Sequence, residues 1–265
     1  MIDEPTLQSR PEDFARAARM LRDARHVICL TGAGISVESG IPPFRGPGGI
    51  WTKHGEPPMD GYQRFLHDPA GDWRKRLNPQ GPMKEFGELL FSARPNDGHY
   101  ALAELEKLGI LRCLITQNVD NLHRAAGHRE VLEIHGNATL SRCIECSKRW
   151  PRDALEVDPE NLPPHCNECG GVVKSDTVSF GEPIPEDVLA QCLEQGERAD
   201  CCIVAGTSAT VYPAAQIPLD VLNRGGQLIE INLYQSEITP SCAVHLWGGA
   251  AATLSQLTQS VRATS

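Results

Sequence analysis

Two pairs of cysteines carry the most specific chemistry in the chain: Cys143-x2-Cys146, then nineteen residues, then Cys166-x2-Cys169. Four thiolates at this spacing can meet one Zn²⁺ tetrahedrally, as in a zinc ribbon. A zinc ion held by four cysteines has no open coordination position, so the site is expected to be structural. It would hold together a stretch too small to have a core of its own. The other six cysteines are Cys29, Cys113, Cys192, Cys201, Cys202 and Cys242. They lie mostly in apolar runs, where a cysteine behaves as a small buried hydrophobe.

A second set of residues fits nucleotide binding. Gly32-Ala33-Gly34-Ile35-Ser36 follows the apolar run HVICLT. Glycines there let the backbone approach a pyrophosphate, and the amides of a following helix favour its charge. On spacing alone the segment is either a dinucleotide turn or a plain tight turn. Val37 stands where a third glycine would complete the usual pattern, and no acidic residue marks the usual ribose position. That argues against an ordinary hydride-transferring dehydrogenase. Three further polar clusters end apolar runs: Gln117-Asn118-Val119-Asp120 after LRCLIT, Gly206-Thr207-Ser208 after CCIVA, and Asn232 after QLIEI. Each alone reads as loop chemistry or helix capping. Together they occupy the edge where open α/β sheets bind ligands. His135, after VLEI, has the side chain best suited to proton transfer near neutral pH. Spacing does not single it out among nine histidines.

The elements that must position these residues alternate as strand and helix. PEDFARAARMLRDA (11–24) reads as an amphipathic helix, with Pro11 at its first position and a capping box from Ser9 and Glu12. Strands are expected at 26–31, 111–116, 131–135, 200–206, 227–232 and 242–247. Helices are expected at 84–93, 97–109, about 185–196, about 213–223 and from about 249. The stretch 40–82 is Gly- and Pro-rich without a long period, too long for a plain connector. The fold class is therefore α/β: a Rossmann-like parallel sheet domain with an inserted zinc-ribbon module. The large part spans 11–139 and 176–262 of a single domain, the module 140–175, and a helical or loop insertion 40–95.

A chain of 265 residues, 40% hydrophobic and 22% charged, can bury a sizeable core. No run reaches the roughly 20 apolar residues of a membrane span, so no membrane is expected as a partner. The polar start MIDEPTLQSRPEDF reads as neither signal nor transit peptide, which makes a cytoplasmic location the expectation. A net charge of −9 argues against nucleic acid and suits a basic, lysine-containing partner.

Seven segments in order, GAGISVESGIPPFRGPGGIW (32–51), TQNVDNLHRAAG (116–127), EIHGN (133–137), the CxxC pairs, SFGEPIP (179–185), AGTSATVYPAA (205–215) and INL (231–233), resemble the sirtuin family of NAD-dependent protein lysine deacylases. The resemblance runs from about residue 14 to 257. It implies NAD as co-substrate, structural Zn²⁺, and acylated lysines of proteins as substrates. It further implies that Gly32, Ala33, Gly34 and Ile35, with Phe44 and Arg45, line the pyrophosphate and ribose side of NAD. Gln117, Asn118 and Asp120 would surround the nicotinamide and its ribose. Gly206, Thr207, Ser208, Asn232, Leu233 and Ala250 would hold the adenosine half. Val178, Ser179, Phe180 and Gly181 would offer a backbone edge to the substrate peptide.

In such chemistry the acyl oxygen of the modified lysine displaces nicotinamide from the ribose. His135 acts as base, and Asn118 and Asp120 position the nicotinamide and a water. The acyl group ends on ADP-ribose and the lysine is freed. Members that prefer acidic acyl groups carry a Tyr-x-x-Arg pair, and an ungapped count places Met83 and Phe86 there. That favours acetyl or longer uncharged groups over succinyl or malonyl, unless Arg74 or Arg76 enters the pocket. The competing expectations are a protein mono-ADP-ribosyltransferase, which the presence of His135 disfavours, and a non-catalytic NAD-sensing module.

Overall fold

The computed structural model describes residues 9–263, so the polar start at 1–8 lies outside the described residues. The described chain opens with α1 (Pro11–Asp23), β1 (Val27–Thr31) and a 3-10 segment at Ala33–Ser39. Next come α2 (Ile50–His54), α3 (Gly61–His67), α4 (Pro69–Leu77), α5 (Gly81–Ser92) and α6 (Asp97–Lys107). They are followed by β2 (Leu111–Thr116), α7 (Leu122–Ala125) and β3 (Val131–Glu133). A separate group, β4 (Leu140–Cys143), β5 (Arg149–Pro151) and β6 (Val173–Ser175), precedes the return to strand and helix alternation. That return comprises α8 (Glu186–Arg198), β7 (Cys201–Ala205), α9 (Gln216–Asn223), β8 (Gln227–Asn232), β9 (Val244–Trp247) and α10 (Ala250–Ala263).

Six parallel strands form one sheet in the order β3-β2-β1-β7-β8-β9. Every residue of β1 and of β7 is buried, as continuous apolar runs covered on both faces must be. Val27, Cys29, Ile203, Ala205, Ile229 and Ile231 face a core completed by α1, α6 and α10. Ile28, Leu30, Cys202, Val204 and Leu228 face the opposite core, which α8 and α9 close. In α1, Phe14, Ala17, Ala18 and Leu21 supply the buried stripe at helical spacing.

The start of α1 differs from the expected capping box. Arg10 is the N-cap, and its backbone N–H is taken by the Asp13 carboxylate at 2.9 Å. Ser9 instead turns its hydroxyl to the backbone of Trp247, whose carbonyl accepts at 3.3 Å. The tertiary partner outcompetes the local one because it ties the chain's start to β9. The insertion between the 3-10 segment and α6 is mostly helical. Its α2, α3 and α4 have 5, 7 and 9 residues, too few turns to establish a visible period.

The second sheet, β5-β4-β6, is antiparallel. Its core is small: Trp73, Cys143, Cys166 and Val173, with Trp150, Leu155, Val157 and Leu162 half-covered. Trp73, from α4, donates its indole N–H to Val173 O at 2.7 Å and so joins the insertion to this module. The link back to the large sheet is a backbone crossing. Gly136 adopts φ +76°, and a Cβ there would stand 2.0 Å from Asp176 O. Gly109 has nearly the same φ, +74°, with nothing within 4 Å of its Cβ position.

These two glycines separate strain from close approach. Gly109→Ala should cost only the left-handed backbone penalty, about 1–2 kcal/mol. Gly136→Ala must also displace the Asp176 segment, so its denaturant midpoint should fall clearly further. Equal losses at the two positions would show that the crossing yields freely.

Candidate active site

With strand order β3-β2-β1-β7-β8-β9, connections run to opposite sides of the sheet from β1 and β7. The loops leaving their carboxyl ends therefore diverge around a crevice, the place where open α/β sheets take ligands. In this chain the two loops also interlock. Gly32 N–H donates to Ala205 O at 3.1 Å and Gly34 N–H to Gly206 O at 2.8 Å. A Cβ on Gly32 would lie 2.7 Å from Thr207 Cβ, and one on Gly34 would lie 2.6 Å from Gly206 Cα. Gly206 itself has φ +61° and would put a Cβ 2.5 Å from Ile35 N. Side chains are thus excluded at all three positions by backbone-to-backbone packing. Gly34 N–H is spent on that packing and is not aimed at a ligand.

The QNVD segment fills the floor. Asn118 is buried, and its Nδ2 donates to Gly32 O and to Ser36 Oγ, both at 3.1 Å. Ser36 Oγ in turn donates to Asp120 Oδ2 at 2.7 Å. The other Asp120 oxygen accepts Leu122 N–H at 2.9 Å, across Asn121 in the left-handed conformation (φ 65°). Burial raises the Asp120 carboxyl above its ordinary value, and these two hydrogen bonds oppose the rise. Gln117 Nε2 reaches Thr207 Oγ1 at 2.9 Å, bridging the floor to the β7 loop. Asn232 Nδ2 donates to Thr207 O at 3.0 Å and adds the end of β8.

His135 joins this group through Gln117, whose carbonyl lies 3.2 Å from Nδ1. A carbonyl only accepts, so Nδ1 carries the proton and Nε2 keeps its lone pair. Burial lowers the His135 pKa, with the Gln117 carbonyl opposing, so the ring is neutral at neutral pH. His135 O accepts Val178 N–H at 2.8 Å, which brings 178–181 beside it.

Other expected residues are placed differently. Arg45 lies over the Trp51 ring at 4.5 Å and pairs with Glu56 at 3.1 Å, so its charge is already engaged. Phe44 stacks near Trp51 and Phe86, with centroids at 4.9 and 6.1 Å. Leu233 is exposed, and Ala250 is buried at the first turn of α10. Ala33 and Ser208 sit in the two interlocked loops, as does Ile35, which is buried under them. Ser36 was not among the expected site residues although it ends the GAGIS motif. Thr31, Thr116 and His123 were also missed. They form a buried polar layer under the floor, with Thr116 Oγ1 accepting Asn118 N–H at 3.1 Å. The signal of Thr31 and Thr116 is a polar residue at the end of an apolar strand, whereas His123 lies in α7 and carries none.

The four cysteines converge. Their Sγ atoms all lie within 4.8 Å of one another, with Cys143–Cys169 at 3.5 Å and Cys146–Cys166 at 3.7 Å. Zn–S bonds of about 2.3 Å in a tetrahedron require sulfurs about 3.8 Å apart. Backbone N–H groups of Glu168 and Gly171 point at Cys166 and Cys169 sulfurs, both at 3.4 Å, which favours thiolates. The donor set fits structural zinc. The other six cysteines are free, and burial pushes the Cys29 and Cys202 thiols well above their ordinary range.

A model of the Sir2 family matches residues 32–213. The chain belongs to the Sir2 family. It is 42% identical over 245 residues to NAD-dependent protein deacylase 2 of Pyrobaculum aerophilum, covering 92% of this chain and 94% of the relative. Among solved structures it is similar to a Sir2 homolog–NAD complex, with TM-score 0.79, 39% identity and coverage of 98% and 97%. A Sir2–p53 peptide–NAD⁺ complex aligns with TM-score 0.75, 30% identity and coverage of 95% and 98%. The donors around this Sir2 crevice suit NAD: side-chain amides and hydroxyls at the ends of β1, β2, β7 and β8, with a buried carboxylate and a neutral imidazole.

If the four thiolates hold metal, purified protein should carry one zinc per chain, released stoichiometrically by a mercurial and detected with a colorimetric chelator. Cys146→Ser should lose that zinc and destabilise the β4–β6 module. A folded, metal-free wild-type chain would contradict the assignment.

Proposed function

We propose that this protein is an NAD-dependent protein lysine deacylase, which moves the acyl group from a lysine side chain to ADP-ribose with release of nicotinamide. The observation that carries the reading is the coupling of His135 to the Gln117–Asp120 floor. A neutral imidazole, its tautomer set by a carbonyl of the same floor, supports His135 as the reading's proton acceptor. NAD supplies the electrophilic ribose carbon and the hydroxyl that receives the acyl group.

The chain's own residues do the rest. Asn118 and Asp120, locked through Ser36, present fixed polar groups at the floor, and they are the reading's positioning groups for nicotinamide and water. Gly206, Thr207, Ser208, Asn232, Leu233 and Ala250 are its adenosine side, and Gly32 to Ile35 with Phe44 and Arg45 its pyrophosphate and ribose side. Arg45 must leave Glu56 or bind from its present stack on Trp51. His135 Nε2 takes the proton of the attacking hydroxyl. Four thiolates fill a zinc coordination sphere, so the metal's part is structural.

Val178, Ser179, Phe180 and Gly181 are read as the edge that pairs with substrate backbone. Phe180 O already accepts Tyr62 N–H at 3.0 Å, so pairing falls to the remaining groups of the segment. An uncharged acyl group suits the residues at the Phe44 side. Phe86 packs with Ile41, Leu90 and Leu122, and Met83 is exposed. Arg76 is held by Asp72 at 2.6 Å, and Arg74 is exposed. Ten cysteines without a disulfide fit a reducing, cytoplasmic setting, and the net charge of −9 fits basic protein segments better than nucleic acid. Among the described residues no helix is long and apolar enough to cross a membrane.

Incubation with NAD and acetyl-, butyryl-, myristoyl- and succinyl-lysine peptides, read by mass spectrometry, should yield free lysine and O-acyl-ADP-ribose, with succinyl the poorest substrate. ADP-ribosylated protein without deacylated peptide would instead support a transferase. His135→Ala should abolish turnover and leave NAD binding intact, and normal turnover would refute its role. In the wild type, kcat/KM should fall as pH drops through a single ionisation below 6.5, the ordinary histidine value. A limb above that value would contradict a base whose pKa burial lowers.

A further inference from the structure

Between the four-cysteine module and residues 178–181 lies a group of charges that the proposed reaction does not use. The side chains of Arg142, Lys174, Asp176 and Glu182 are 6%, 1%, 3% and 2% exposed. Arg142 Nη2 donates to Glu182 Oε1 at 2.6 Å, and Lys174 Nζ donates to Glu182 Oε2 at 2.9 Å. Lys174 Nζ also donates to Ser175 O at 2.9 Å and Thr177 O at 2.7 Å. Asp176 accepts Arg149 Nε at 2.9 Å and Asn137 N–H at 3.2 Å, next to His135. Arg142 lies on β4 and Lys174 on β6, the strands that carry or flank the cysteines.

A hydrophobic cluster of the same volume could join two modules at least as well, because burying charges is costly. What only a carboxylate does here is accept two cations and a backbone amide at once. Glu182 Oε2 takes Ser179 N–H at 2.8 Å, and Glu182 N–H closes the turn onto Ser179 O at 3.0 Å. Both backbone polar groups of Ser179 are thereby engaged by Glu182. Val178 O, Phe180 N–H and Gly181 N–H make no hydrogen bond among the described residues, and they are the groups left to meet another backbone.

We infer that Glu182 is a positioning residue for the peptide edge, and that Arg142 and Lys174 fix it to the four-cysteine module, so that this module sets peptide affinity. The inference rests on reading Val178–Gly181 as the edge. It makes Glu182 act through Ser179 on substrate backbone, without touching NAD or the acyl group.

The test uses steady-state kinetics with an acetyl-lysine peptide and with the same peptide carrying an ester in place of one backbone amide beside the lysine. In the wild type the ester should raise KM. Glu182→Gln should raise the KM of the amide peptide about 10- to 100-fold, the range of one lost charge-assisted hydrogen bond. It should leave kcat at saturating peptide and the Kd for NAD unchanged, and it should erase the difference between amide and ester. Lys174→Met is read in the same way if Glu182→Gln does not fold. An ester-sensitive wild type with an unchanged peptide KM in the variant overturns the role of Glu182 and leaves the edge reading standing. An ester-insensitive wild type overturns both. A parallel loss of NAD affinity and kcat would show that Glu182 only holds the fold together.

Discussion

The contact on which the site depends is the one between two backbones, the loop after β1 and the loop after β7. Gly34 N–H meets Gly206 O at 2.8 Å, and no Cβ fits at Gly32, Gly34 or Gly206. That approach sets how far apart the two sides of the crevice can stand. It also presents Gly32 O to Asn118, which pulls the floor segment against Ser36 and Asp120. A glycine-rich turn in this family position is usually discussed for its closeness to a phosphate. Here its first demand is closeness to another loop, and the ligand site follows from that.

From the floor the order passes to His135 and then to residues 178–181. Gln117 connects three parts: its side chain reaches Thr207, its carbonyl holds His135 Nδ1, and its own position comes from the end of β2. His135 then hands the chain direction to Val178 through its carbonyl. The crossing at Gly136 and Asp176 keeps the four-cysteine module adjacent to this path. Buried charges and this one crossing thus join the four-cysteine module to the segment that follows His135.

Much of this was legible in the residues, for reasons that can be named. β1 and β7 are buried on both faces and read as unbroken apolar runs, so their ends, and the polar clusters there, were easy to locate. The CxxC pairs are local and their spacing carries the geometry. Ser36 carries no local sign of its role, because its hydroxyl meets Asp120 across 84 residues of sequence and Asn118 across 82. Arg142, Lys174 and Glu182 were invisible for a related cause: single charges on short strands signal nothing until the fold brings them together. The Ser9 and Glu12 capping box failed because Trp247, 238 residues away, competed for the serine. Local rules lose where a long-range partner satisfies the same group.

The most direct test follows one oxygen atom. If the acyl oxygen of the modified lysine is what displaces nicotinamide, a peptide labelled with heavy oxygen at the acetyl carbonyl must pass that label to the ribose. Tandem mass spectrometry of the O-acetyl-ADP-ribose formed in a short reaction should place the label on the ribose fragment, with solvent oxygen in the acetyl group. Label retained in the acetyl group or in free acetate, with unlabelled ADP-ribose, would mean that the amide is hydrolysed independently of NAD cleavage, and the proposed coupling between the two would be wrong.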